Sequence, residues 1–327
     1  MDYPGSSDGA RDERLAQIRQ RLESEDPGMR QVAVRSLKNI ADREAIELLI
    51  ACLRDDYDRV RWDAADALLA IGGPVVGPLL RLLEEEENKY ARAEAAGVLG
   101  RMKDERAIDS LIECFKDDDG NVRWIARKAL VEMGKPAAVH LIDALDDPHL
   151  RIRQRALKAL MQMGRPAVEA LAEALDDDRL RVRQGVLEAL EMIGEPAVLP
   201  LLKVLEAGNP RARWRAAEAL GRLGDVRSVP YLVRALQDYT LDVRWKAAES
   251  LGMIGDRRCM EALIEALGDR ERFVRQGAAR SLGRIGDERA VASLSRVARE
   301  DEDKSVREAA ARSLRKIKSS SDLLSNR

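Results

Sequence analysis

The sequence predicts an all-α solenoid of about ten helix–turn–helix repeats, and three observations carry that prediction. An arginine recurs at Arg30, Arg61, Arg92, Arg123, Arg153, Arg183, Arg213, Arg244, Arg275 and Arg307, at spacings of 31, 31, 31, 30, 30, 30, 31, 31 and 32 residues. Each arginine is followed by apolar residues at helical spacing. Aromatic residues are only 3% of the chain while charged residues are 35%, a mixture suited to helices packed closely through small side chains. The net charge is −2, so the overall balance gives no electrostatic case for a nucleic acid or an anionic membrane.

Each repeat resolves into two helices. Helix A of the fourth repeat places Ile108, Leu111, Ile112 and Phe115 on one face. An Asp-rich turn follows (Asp117, Asp118, Asp119, Gly120), and helix B then presents Val122, Ala126, Ala129, Leu130 and Met133. At 100° per residue these fall within about 60° of one direction. One hairpin cannot bury such a stripe, so neighbouring repeats must stack on it. The small changes of beat belong to the turns. Repeats entered by Gly-x-Pro-Ala (Pro136, Pro166, Pro196) are one residue shorter than those entered by Gly-Asp-x-Arg (Gly224-Asp225, Gly255-Asp256, Gly286-Asp287). Proline suits a first helical turn and glycine a helix end, so the glycines are read as terminators. Extra residues fall in the turns Glu84–Lys89 and Glu300–Lys304, where they leave helix phase intact.

The ends read as caps. A first helix over Arg11–Glu23 keeps Leu15, Ile18 and Leu22 on one face, and a last helix over Ser305–Lys318 is rich in Arg and Lys. The expected organisation is a flexible tail over 1–9, a single solenoid over 10–318 and a disordered tail over 319–327. The first residues, MDYPGSSDGARDER, contain no apolar run, so no signal peptide is expected. No stretch approaches the length of a membrane span. Cys52, Cys114 and Cys259 are far apart and odd in number, which points to a reducing cytoplasm and not to a disulfide framework.

The segments Val243–Asp269 and Val274–Leu294 carry a Val-Arg-x-x-Ala-x-x-[Ala/Ser]-Leu-Gly-x-[Ile/Leu]-Gly-Asp-x-Arg signature. That signature resembles HEAT-like repeats of the phycobilisome-lyase type, and the resemblance extends over residues 10–318. It implies an armadillo-like superhelix whose B helices line a concave side. It also implies that each Asp six residues before a repeat Arg bonds along the stack. These are Asp55, Asp117, Asp147, Asp177, Asp238 and Asp269 (with Asp301 near the end), set against Arg61, Arg123, Arg153, Arg183, Arg244 and Arg275. The alternative is a phosphate-binding track; the partner acids favour a structural ladder. On that reading Arg183→Ala lowers thermal stability.

All four tryptophans fall in one slot, immediately after the repeat Arg: Trp62, Trp124, Trp214 and Trp245. Gln31, Gln154, Gln184 and Gln276 share it, with Ala93 and Glu308 as exceptions. The slot lies about 160° from the apolar stripe, so Trp62, Trp124, Gln154, Gln184, Trp214, Trp245 and Gln276 are the candidate partner-binding residues. Indoles there either bind a partner or complete packing between repeats. Trp214 with Trp245 forms the expected hot spot, and Ala93 should leave a dent between Trp62 and Trp124. Charges around the slot are mixed, which suits a protein surface better than a polyphosphate.

Catalytic signatures are absent. His140 and His149 are nine residues apart and neither precedes Glu, so there is no zincin pair and none of the His-Glu pairs of HEAT-repeat iron hydroxylases. There is no Cys-x-x-Cys and no phosphate-binding Gly-x-x-x-x-Gly-Lys-[Ser/Thr]. The resulting reading is a non-catalytic cytoplasmic protein-binding scaffold, with no cofactor, no metal and an undetermined oligomeric state. Two alternatives stay open: a lyase-like or chaperone-like accessory protein acting on a cofactor-bearing partner, and a nucleic-acid-binding or base-processing solenoid.

Overall fold

The computed structural model describes residues 6–325, with side chains over 11–319. All regular structure among them is helical, as the periodicity requires. The chain forms two compact units, one ending at Met163 and one beginning at Gly164. The arginine beat runs across this division at 30 residues, from Arg153 to Arg183, so the repeat itself does not mark it.

The first unit contains α1 (Ser6–Leu22), α2 (Pro27–Leu37), α3 (Arg43–Cys52), α4 (Asp58–Ile71), α5 (Val76–Glu85), α6 (Lys89–Met102), α7 (Ile108–Glu113), α8 (Gly120–Met133), α9 (Lys135–Asp143) and α10 (Leu150–Met163). The second contains α11 (Arg165–Glu173), α12 (Leu180–Ile193), α13 (Val198–Ala207), α14 (Pro210–Leu223), α15 (Val229–Ala235), α16 (Leu241–Ile254), α17 (Met260–Ala266), α18 (Arg272–Ile285), α19 (Val291–Glu300) and α20 (Lys304–Ser325). Even-numbered helices are the B helices. From α4 to α18 each is 14 residues long, so every change of beat is absorbed by turns and A helices. That is the physical condition for keeping one apolar stripe in phase. Val122, Ala126, Ala129, Leu130 and Met133 are all buried, with Met133 the most exposed at 8%.

The helices reach into both expected tails, since α1 begins at Ser6 and α20 ends at Ser325. Residues 1–5 and 326–327 lie outside the described residues. Leu15 and Ile18 are buried as a capping helix requires.

The Gly-Asp-x-Arg motif is a compact corner. Gly224, Gly255 and Gly286 end their B helices with φ of 69°, 74° and 74°, a left-handed conformation that costs glycine little. The next Asp caps the following 3-10 turn by accepting the N–H two residues on, as Asp225 does from Arg227 at 2.8 Å. The same Arg folds back on that carboxylate, Nη2 to Oδ2 2.6 Å in the Asp225 corner. In the corner after α6 the glycine is replaced by Lys103, the one non-glycine residue with positive φ (53°) among the described residues. Removing its Cβ relieves about 1–2 kcal/mol of left-handed strain, against about 0.5–1 kcal/mol of added chain entropy. Lys103→Gly should therefore raise the melting temperature slightly, and a lower one would contradict the strain argument.

Not all glycines are terminators. Gly100, Gly221, Gly252 and Gly283 are buried inside B helices. Each faces a small residue of the following B helix. A Cβ built on Gly252 would stand 2.2 Å from Ser281 Oγ and 2.7 Å from its Cα. One built on Gly100 would stand 2.3 Å from the Ala129 Cβ. The serines are satisfied across the same seam: Ser250 Oγ donates to the Ala217 carbonyl at 2.7 Å and Ser281 Oγ to that of Ala248 at 2.8 Å. The reading of glycine as a helix end is corrected here, because in Leu-Gly-x-Ile-Gly the first glycine lets two B-helix backbones approach and only the second ends the helix.

Candidate partner-binding face

In a complete rung the arginine after the turn is held from two sides. Its Nη1 donates to carbonyls of its own turn, as Arg244 does to Asp238 O at 2.9 Å and Tyr239 O at 3.3 Å. Its Nε and Nη2 grip the carboxylate of the next repeat's Asp in a fork, as Arg244 does to Asp269 at 2.8 and 3.1 Å. Among the described residues five arginines make the complete rung: Arg30 with Asp55, Arg92 with Asp117, Arg213 with Asp238, Arg244 with Asp269 and Arg275 with Asp301. Each Asp also caps its own turn, for example through Tyr57 N–H to Asp55 at 2.9 Å. Burial pushes the Asp55 and Asp238 carboxyls up, but their arginines and turn N–H groups outweigh it and hold both below the usual carboxylate range.

Other expected rungs keep only the carbonyl half. Arg61 donates to Asp55 O, Arg123 to Asp117 O, Arg153 to Asp147 O and Arg183 to Asp177 O. The expected partner acids turn elsewhere: Asp177 holds Arg179 and Asp147 lies 3.3 Å from His149. Arg61, instead of a carboxylate fork, stacks on Tyr90 at 4.5 Å from the ring centroid.

The tryptophan slot divides by unit. In the first unit Trp62 on α4 and Trp124 on α8 are open, at 54% and 51% exposure. Between them α6 carries Ala93 in the same slot, and the dent there lies on the Trp124 side alone, with Trp62 outside its lining. It is a recess of about 170 Å³ lined by Ala93, Glu94, Gly97, Arg101, Trp124 and Lys128 among others. Burial pushes the Glu94 carboxyl above its ordinary value, with the Arg61 charge and a hydrogen bond from Trp62 pulling the other way. Lys128 Nζ lies 5.5 Å from the Trp124 ring centroid, and Arg101 pairs with Asp66 at 2.7 Å.

In the second unit the same slot is half covered. Trp245 on α16 lies against α18, where a Cβ on Gly277 would come within 3.2 Å of Trp245 Cδ1. Phe273 also packs beside it, ring centroids 6.4 Å apart. Lys246 lies over both Trp214 and Trp245, at 5.4 and 4.9 Å from the ring centroids. Both indoles are intermediate in exposure. The expected hot spot at Trp214 and Trp245 is therefore the more sheltered pair, partly covered by residues of the following B helix. Gln154 and Gln184 are exposed, while Gln276 is half-buried and donates to Ser305 O at 3.4 Å.

Nucleophile chemistry finds little here. Cys52, Cys114 and Cys259 are free and buried. Burial pushes their thiols up to about 12, 12 and 11, so thiolate is scarce at neutral pH. Native protein should react with a thiol reagent such as dithionitrobenzoate only as fast as it opens, and a rapid stoichiometric burst would contradict this. His140 meets Asp109 at 2.7 Å on the surface. Among the described residues no group of three or more His, Cys, Asp and Glu side chains is placed to hold a metal ion, and no single helix is long and apolar enough to cross a membrane.

The model of the family described as HEAT repeats matches residues 15–84, 76–141, 138–205, 198–258 and 235–315. No curated protein matches the chain. Among solved structures, an engineered protein is similar at 20% identity over 93% of this chain and 99% of its own, with a TM-score of 0.37. Human deoxyhypusine hydroxylase, solved with glycerol, is similar at 27% identity over 76% of this chain and 97% of its own, with a TM-score of 0.32. A Kap95:Nup1 complex is similar at 14% identity over 97% of this chain and 56% of the matched one, with a TM-score of 0.42. With the paired helices, the arginine rungs and family matches along nearly the whole sequence, the chain belongs to the HEAT-repeat family.

Proposed function

We propose that this chain is a non-catalytic protein-binding scaffold that engages its partner through the B-helix face of its first unit. The observation that carries the reading is the pair of half-open indoles, Trp62 and Trp124, in the slots before and after Ala93, with a recess between Ala93 and Trp124. An indole left in water gives up burial energy of about 25 cal/mol per Å², and tryptophan is the residue most enriched at binding hot spots. Glu94, Asp66 and Glu132 stand among Arg101 and Lys128, a mixed field suited to the polar rim of a protein interface. The three buried thiols support a reducing, cytoplasmic setting. The finer kinship proposed is with HEAT-like repeats of the phycobilisome-lyase type, supported by the Gly-Asp-x-Arg corners.

The test is affinity capture from the native lysate followed by reconstitution with the purified partner. Trp62→Ala with Trp124→Ala removes exposed side chains, so stability should change by under about 1 kcal/mol. Partner affinity should fall by at least tenfold, since a hot-spot residue carries about 2 kcal/mol or more. Undiminished affinity in the double variant would reject this face as the binding surface.

A further inference from the structure

The last two B helices of the second unit carry a cluster of exposed cations. From the tryptophan slot onward each B helix presents a stripe of residues four apart: Trp245, Glu249 and Met253 on α16, Gln276, Arg280 and Arg284 on α18, and Glu308, Arg312 and Lys316 on α20. Residues four apart lie one above the other, about 6 Å along the helix axis. Arg280, Arg284, Arg312 and Lys316 are all exposed.

α18 and α20 hold these stripes side by side. Near their starts Gln276 Nε2 donates to Ser305 O at 3.4 Å. Near the far end a Cβ on Gly283 would stand 2.8 Å from the Ser313 Cα. The backbones therefore approach closely between Arg284, which follows that glycine, and Arg312, which precedes that serine. α16 meets α18 in the same way, Gly252 against Ser281, which sets Met253 beside the cations. Met253 is 47% exposed.

The fold gives these cations little to hold. Among the described residues Arg280, Arg284 and Arg312 have no acid partner. The acids of the neighbouring stripes are engaged, Glu249 with Lys246 at 3.1 Å and Glu308 with Lys304 at 4.0 Å. Like charges four apart on a helix repel, so Arg280 with Arg284 and Arg312 with Lys316 carry a local cost that a bound anion would relieve.

We propose that this patch on α18 and α20 binds an acidic segment of a protein partner. Arg280, Arg284, Arg312 and Lys316 receive its Asp and Glu side chains, and Met253 covers an apolar residue of the same segment. Alternate side chains of an extended segment are about 7 Å apart, close to the step from Arg280 to Arg284, and guanidinium groups fit carboxylates as forks. A nucleic acid fits less well, because its charged backbone runs on beyond four cations. The next stripe would meet it with Glu249 and an exposed methionine, a side chain that suits adaptable protein contacts. The surface lies in the second unit and uses neither Trp62 nor Trp124, so it and the indole face fail independently.

The test uses the full chain and a fluorescein-labelled peptide of repeated Glu-Glu-Leu, read by fluorescence anisotropy. The expected result is saturable binding that weakens as sodium chloride rises, and no binding of the same peptide with Gln in place of Glu. Arg280→Glu with Arg312→Glu should weaken binding at least about tenfold. Both side chains are exposed and make no ion pair, so the melting temperature should stay native. Lys203→Glu with Arg296→Glu makes the same change of net charge at exposed positions on α13 and α19, and should leave the affinity within about twofold. Equal losses in the two double variants overturn the proposal, since net charge alone would then explain the binding. So does undiminished binding in Arg280→Glu with Arg312→Glu. An oligothymidylate of the same charge that binds at least about tenfold more tightly than the peptide also overturns it, by making the patch a nucleic-acid surface.

Discussion

Replacing Arg244 by alanine should destabilise the second unit by about 3–5 kcal/mol, the scale measured when one member of a buried ion pair is removed. Three losses coincide. The fork to Asp269 disappears, at 2.8 and 3.1 Å. Asp269 is left half-buried with only the Glu271 N–H, at 2.8 Å, from the turn it caps. The carbonyls of Asp238 and Tyr239 lose their shared donor. Arg244 is only 5% exposed, so water does not readily replace it. The informative comparison is Arg183→Ala, which removes the two carbonyl bonds but strands no carboxylate and should cost about 1–2 kcal/mol. Urea unfolding read with hydrogen exchange in α16 and α18 measures both, because stacked repeats need not unfold as one. Equal losses in the two variants would mean that the carboxylate half of the rung contributes nothing.

Gly252→Ala should also destabilise, by about 1–3 kcal/mol as overpacked cores do, although helix propensity alone predicts a gain of about 1 kcal/mol. The signs are opposite, so the measurement decides between local and tertiary control. Gly252 lies in the last turn of α16, and the added Cβ would fall 2.4 Å from the Ser281 Cβ and 2.7 Å from its Cα. The second distance is to backbone, so the obstacle is not a side chain that can rotate away. Either α16 and α18 separate, breaking the Ser281 Oγ bond to Ala248 O, or the helices twist against their shared stripe. Gly252→Val should be worse still. The control is Gly255→Ala, where nothing lies within 4 Å and only the left-handed φ of 74° is strained, at about 1–2 kcal/mol. A stabilised Gly252→Ala would show that the seam between α16 and α18 is loose.

The sequence alone determined the repeat and the helix pairs. These follow from local rules: 3.6-residue periodicity, turn chemistry and a beat of about 31 residues, all of which act within one repeat. It also located the slot that carries the indoles and the dent beside Ala93, because a helix's own geometry sets which side chains leave its apolar stripe. What only the tertiary structure decided depends on the neighbouring repeat. Whether an arginine receives its carboxylate depends on what the next turn offers, Asp269 for Arg244 but Gly208 for Arg183. Whether a glycine near a helix end is a seam or a stop depends on the helix opposite, as Ser281 shows for Gly252. Whether an indole is open depends on the next B helix, with Gly277, Phe273 and Lys246 sheltering Trp245 while Trp62 and Trp124 stay half exposed. Periodicity describes one unit of a stack, and exposure, pairing and approach are properties of two.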